Sequence, residues 1–200
     1  MNKTFLKNID TNNIYSDLID FPNQIESILN NNSFDSIDIN KISNILICGM
    51  GGSAIGGDLL KSIVQDKCPY PIIINRDYSL PNWVSKKTLI ILSSYSGNTE
   101  EVTSCLKQSM TNNLQPIIVT SGGELLKVAK AKKLIYFKIP KGYMPRFALG
   151  YSISILMTIF IKIRFINKSI LRKMNKTVNA LKIDARLYSD LEKENEAIKL

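Results

Sequence analysis

The chain has 200 residues, 44% of them hydrophobic and 22% charged, which is enough to bury one sizeable core and excludes a disordered or low-complexity protein. Its net charge of +9 is lopsided: residues 1–120 carry 9 basic and 11 acidic groups, residues 121–200 carry 17 and 6. Histidine is absent, which removes the commonest general acid–base, and Cys48, Cys68 and Cys105 are too scattered for a disulfide framework or a zinc site, so reduced thiols in the cytoplasm are expected.

The start, MNKTFLKNIDTNN, has no apolar stretch behind its lysines, so no signal peptide is expected. Ile14, Leu18, Ile19, Ile25 and Leu29 lie near helical spacing, and Pro22 predicts a break that makes them a pair of helices. An Asn, Ser and Asp cluster over 30–40 reads as a loop, closing a helical lead-in of residues 1–40. Five Ile- and Val-rich runs follow without alternation, as strands buried on both faces should: Asn44 to Cys48, Pro71 to Ile74, Thr88 to Leu92, Pro116 to Val119 and Leu134 to Phe137. Between them, Ser53 to Val64, Thr99 to Met110 and Glu124 to Ala131 have helical length and period. This alternation predicts an α/β fold over residues 41–166, a five-stranded parallel sheet with helices on both faces, for which the order 2-1-3-4-5 is taken.

Pro145 to Ile166 is the most apolar stretch, but Lys162 and Arg164 cut it short of a membrane span, so it is expected to be a buried or interface helix. From Ser169 to Leu200 the chain is charged, with Ile170, Val178, Leu181 and Leu187 on one helical face, and residues 167–200 read as a helical linker. The helix from Phe147 and the tail from Ser169 are the surfaces expected to meet a second domain or subunit. The basic half lacks aromatic interleaving or any nucleic-acid recognition motif, so a solvated lysine face is expected, with neither nucleic acid nor membrane as partner.

Chemistry concentrates in the loops after the strands. Gly49-Met50-Gly51-Gly52-Ser53-Ala54-Ile55-Gly56-Gly57 follows the first strand and opens a helix, where close backbone approach, free N–H groups and the helix dipole suit an anion. Ser93-Ser94-Tyr95-Ser96-Gly97-Asn98-Thr99 follows the third strand and again opens a helix. Strands 1 and 3 flank the switch point of such a sheet, so both loops should face one cavity, holding a phosphate with Gly51, Gly52, Ser53, Ser94, Ser96 and Thr99. Taken singly, Ser96 or Thr99 would be a helix cap. Glu100 and Glu101 sit in a first helical turn, where carboxylates serve the dipole rather than catalysis. Thr120-Ser121-Gly122-Gly123 after the fourth strand either lines the pocket or only turns the chain. Arg146 opens the apolar helix and must face a cavity or pair with an acid; its fixed charge suits developing negative oxygen. A dinucleotide site built on the glycine loop and Asp77 is the alternative, and it leaves the serine-rich loop without a purpose.

The segments ICGMGGSAIGGD, NRDYSLP, SSYSGNTEE, VTSGGEL and MPRFALGYS resemble, in order and spacing, the bifunctional phosphoglucose/phosphomannose isomerases of the sugar isomerase (SIS) family. YSDLIDFPNQI is similar to that family's first helix. The resemblance implies a flavodoxin-like SIS domain that binds glucose, mannose or fructose 6-phosphate. By it Ser53, Ser94, Ser96 and Thr99 contact the phosphate, Gly51 and Gly52 lie nearby, and Arg146 stands by a cis-enediol intermediate. The implied reaction is an aldose–ketose isomerisation without metal or cofactor, in a homodimer or with a second SIS domain. That domain supplies the family's base glutamate, a histidine and a late lysine; Lys193 to Leu200 resembles the linker helix before it. A non-catalytic sugar-phosphate-binding module is the other reading.

Overall fold

Five strands pair in parallel in the order β2-β1-β3-β4-β5: β1 (Asn44–Cys48), β2 (Ile72–Asn75), β3 (Thr88–Ser94), β4 (Ile117–Thr120) and β5 (Tyr136–Lys138). They belong to a computed structural model that describes residues 8–31, 41–190 and 195–199. The helices are α1 (Ile14–Asn31), α2 (Gly51–Val64), α3 (Glu100–Thr111), α4 (Gly123–Ala131), α5 (Leu149–Lys162), α6 (Ile170–Tyr188) and α7 (Glu196–Lys199), with a 3₁₀ turn at Pro145–Phe147. The α/β class is the one the sequence predicts, and the strand order is the one taken for the switch point.

Alternate residues of the central strands feed two cores. Ile45, Ile47, Leu89, Ile91, Ile117 and Val119 pack with Leu60 and Val64 of α2 and with α5. Leu46, Ile90, Leu92 and Ile118 point the other way, onto Val102, Cys105 and Leu106 of α3 and Leu125 and Ala129 of α4. Burial on both faces holds for β1, β3 and β4. It fails at the two edge strands, each paired with one neighbour: β2 is buried only at Ile72, and β5, which begins two residues later than expected, is half-exposed.

Two further expectations are corrected. Pro22 does not split the lead-in: α1 runs unbroken through it. Proline removes one helical hydrogen bond, but residues on both sides of it are held by packing, Phe21 with Ile25 and Leu29 against Val178 of α6 and Ile28 against the main core. Helix α5 is not a surface awaiting a partner, since every residue from Gly150 to Ile161 is buried within this chain, against α1 and α2. Two of its hydroxyls turn back to the helix, Ser154 Oγ donating to Gly150 O (2.7 Å) and Thr158 Oγ1 to Ser154 O (2.8 Å). Among the described residues no helix is long and apolar enough to cross a membrane. The expected loop beyond Asn31, with Lys193, Glu194 and Leu200 of the tail, lies outside the described residues.

Candidate functional site

Register places the two glycine- and serine-rich loops side by side. Cys48 of β1 is paired with Leu92 of β3, so Gly49 comes next to Ser93, and a Cβ on Gly49 would stand 3.2 Å from Ser93 O. The chain turns into α2 at Gly51 with φ +48°, a conformation that favours glycine. Ser53 follows in the first turn of α2, its N–H bonded to Met50 O (3.0 Å). Gly52 faces the 3₁₀ turn: a Cβ there would lie 3.2 Å from Pro145 O and 3.4 Å from Arg146 Cα. The first loop and the arginine segment are thus in backbone contact.

The second loop is a hydroxyl cluster. Ser94 is buried at the end of β3, with its Oγ 2.7 Å from Thr99 Oγ1 and 3.5 Å from Ser96 Oγ. Ser94 Oγ also accepts the Gly97 N–H (3.1 Å), and Ser96 Oγ accepts the Asn98 N–H (3.2 Å). Thr99 occupies the N-cap position of α3, yet its side chain makes no capping bond. A threonine there normally spends its hydroxyl on the helix. Here it is aimed back at Ser94, so the Thr99 side chain caps none of the first N–H groups of α3.

The third loop turns out to be the frame of the second. Ser121 donates its N–H (3.0 Å) and its Oγ–H (2.7 Å) to Tyr95 O, and Asn98 Oδ1 accepts the Glu124 N–H (2.9 Å). Gly97, at φ +72°, packs so closely that a Cβ would overlap Gly122 O and come within 2.8 Å of Thr120 Oγ1. Asn98 was not singled out in the sequence, because its bond reaches 26 residues along the chain to Glu124. Nor was Tyr95: its hydroxyl accepts the Tyr143 N–H (3.0 Å) and donates to Pro140 O (3.1 Å), contacts across more than 40 residues.

Arg146 is exposed on the 3₁₀ turn, its guanidinium 5.7 Å from the Phe147 ring centre, and no described carboxylate pairs with it. Of the two outcomes open to it, the ion pair is therefore not formed among the described residues. Glu100 and Glu101 face Tyr78 rather than the hydroxyl cluster; their charges, Glu101 first, push the Tyr78 phenol upward. Asp77 is exposed beyond β2, and its carbonyl accepts the Cys105 thiol (3.4 Å). Cys48 and Cys105 share a hydrogen bond that, with burial, raises the Cys48 thiol well above its ordinary value and keeps it protonated. Among the described residues no group of three His, Cys, Asp or Glu side chains could hold a metal ion.

No protein-family model matches the chain. It is 41% identical over 155 residues to the bifunctional phosphoglucose/phosphomannose isomerase of Caldicellulosiruptor bescii, covering 76% of this chain and 46% of that one. It is 33% identical over 148 residues to the enzyme of the same name from Thermoplasma acidophilum (74% and 46%). A D-glucosamine-6-phosphate 4-epimerase of Sulfolobus acidocaldarius is 34% identical over 128 residues (64% and 40%). The chain spans less than half the length of these relatives. Among solved structures it superposes on a Clostridium difficile protein named a phosphosugar isomerase (TM-score 0.65, 12% identity, 86% of this chain and 53% of that one). The C-terminal domain of glucosamine-fructose-6-phosphate aminotransferase from Francisella tularensis gives a TM-score of 0.59 at 16% identity (88% and 55%). The chain is thus a relative of the bifunctional phosphoglucose/phosphomannose isomerase family, matching under half of that family's length and built on the SIS fold.

Proposed function

We propose that this chain is the phosphate-holding half of an aldose–ketose isomerase acting on glucose, mannose and fructose 6-phosphates. Ser53, Ser94, Ser96 and Thr99 take the phosphate oxygens, the backbone at Gly51 and Gly52 lets the anion approach, and the N-terminus of α3 adds its dipole. Arg146 stands beside C1 and C2 and stabilises the oxygen charge of a cis-enediolate. The observation that carries the reading is the Ser94–Thr99 hydroxyl contact of 2.7 Å, which withholds Thr99 from capping its own helix. The sequence relatives share hexose phosphates in their names while differing in reaction, which fits a conserved holding half. The units are a lead-in of residues 1–40, the SIS domain of 41–166 and a linker of 167–200 toward a second SIS domain. The proton-moving glutamate, the ring-opening histidine and the late lysine belong to that second domain. We place the protein in the cytoplasm as a dimer, in glycolysis and gluconeogenesis.

Thermal denaturation of the purified chain tests this. Fructose 6-phosphate should raise the melting temperature while NAD leaves it unchanged, because only a ligand of the native state stabilises it. Ser94→Ala should abolish the rise; a rise that survived it would remove the phosphate assignment. The second reading is a binding module without turnover. Turnover of fructose 6-phosphate to glucose 6-phosphate by the chain alone would exclude it.

A further inference from the structure

Arg146 has a weak support of its own. It sits on one exposed 3₁₀ turn between the edge strand β5 and α5, at the end of a segment without regular structure. That segment is strapped at both ends to one face of α1. At Tyr143, the hydroxyl donates to Asp20 Oδ2 (2.8 Å) and lies 3.1 Å from Tyr151 Oη. At Phe147, the carbonyl accepts Gln24 Nε2–H (2.8 Å). Asp20 and Gln24 are four residues apart, one turn of the same helix, so the two straps share a face. Between them lies Arg146, with Gly52 of the phosphate loop against its backbone and Tyr95 of the hydroxyl loop holding the Tyr143 N–H.

The Gln24 side chain is an expensive way to pack a helix. It is fully buried, and its Oε1 has no partner among the described residues. An apolar residue would avoid the desolvation of a half-satisfied amide. What only Gln24 supplies is the bond to Phe147 O.

We propose that Gln24 and Asp20 are positioning residues for Arg146, and that α1 sets the distance between the arginine and the phosphate cradle. This rests on the role given to Arg146 above. The experiment compares two probes by calorimetry on the purified chain: inorganic phosphate, which needs the cradle alone, and 5-phospho-D-arabinonate, whose carboxylate occupies the place of the enediolate beside Arg146. Gln24→Met keeps length and loses the donor. It should weaken the aldonate phosphate about tenfold and leave phosphate unchanged. Tyr143→Phe, which frees the other strap and removes only a hydroxyl, should show the same split and carries the test if Gln24→Met fails to fold. In an Arg146→Ala background Gln24→Met should cost nothing further, because the two residues act as one. An unchanged ratio of affinities in both single variants, or a full additional loss in the double variant, overturns the positioning role. A parent chain that takes neither probe overturns the reading of Arg146 and this inference together.

Discussion

Thr99 and Gly97 show how single residues separate holding a ligand from holding the fold. Thr99 Oγ1 contacts another hydroxyl and caps nothing, so Thr99→Val should leave the urea midpoint nearly unchanged and weaken hexose 6-phosphate binding about tenfold, read by calorimetry. Gly97→Ala should do the reverse of a binding variant: φ +72° and the overlap with Gly122 O make it destabilising by about 3 kcal/mol, measured by urea denaturation. Tyr143 gives a pH signature. Burial first, then its bonds with Tyr151 and Asp20, raise its phenol above the ordinary value of 10. The folded state therefore favours the protonated form, a contribution complete below pH 10 and lost as pH climbs above it while the unfolded chain ionises. Tyr143→Phe should flatten the loss of stability between pH 9 and pH 11, read as a smaller fall in urea midpoint than the parent shows.

At the scale of elements, the contact between α2 and α5 is decided by Gly56 and Ser152. A Cβ on Gly56 would overlap Ser152 Oγ, and that hydroxyl is buried without a partner. Ser152→Ala should therefore be neutral or about 1 kcal/mol stabilising, while Gly56→Ala costs about 2 kcal/mol alone and less in the Ser152→Ala background. A double-mutant cycle by thermal unfolding measures that coupling. Much of this level was legible from the chain: Ile and Val runs without alternation gave β1, β3 and β4 because burial on both faces leaves no polar positions. Pro22 misled because the helix around it is held by packing from α5 and α6, which no local rule contains. Strand β5 was displaced because the apolar pair Leu134 and Ile135 precedes it, while the strand itself, with exposed Tyr136 and Lys138, lies on the sheet edge. The two phosphate loops were readable from composition; the straps from Asp20, Gln24 and Tyr95 were not, since each joins residues far apart in sequence through one hydrogen bond.

Across the whole molecule, the beginning and the end of the described chain form one layer. Ile25 and Leu29 of α1 close over Val178 of α6, and Glu26 pairs with Lys182 at 2.6 Å. A version ending at Asn167 should bind the dye ANS and melt at lower temperature than the parent, because that apolar face loses its cover. The uniform burial of α5 has a further consequence during synthesis. The last strand of the sheet is complete at Lys138, yet one face is covered by α2 alone until residues 149–162 arrive, and α1, made first, lacks the α5 surface it packs on until then. A ribosome therefore carries a finished sheet with a partly covered apolar side through the translation of another two dozen residues. That interval is where a nascent-chain chaperone would find its grip, and a slowly decoded stretch between codons 139 and 162 should lengthen it.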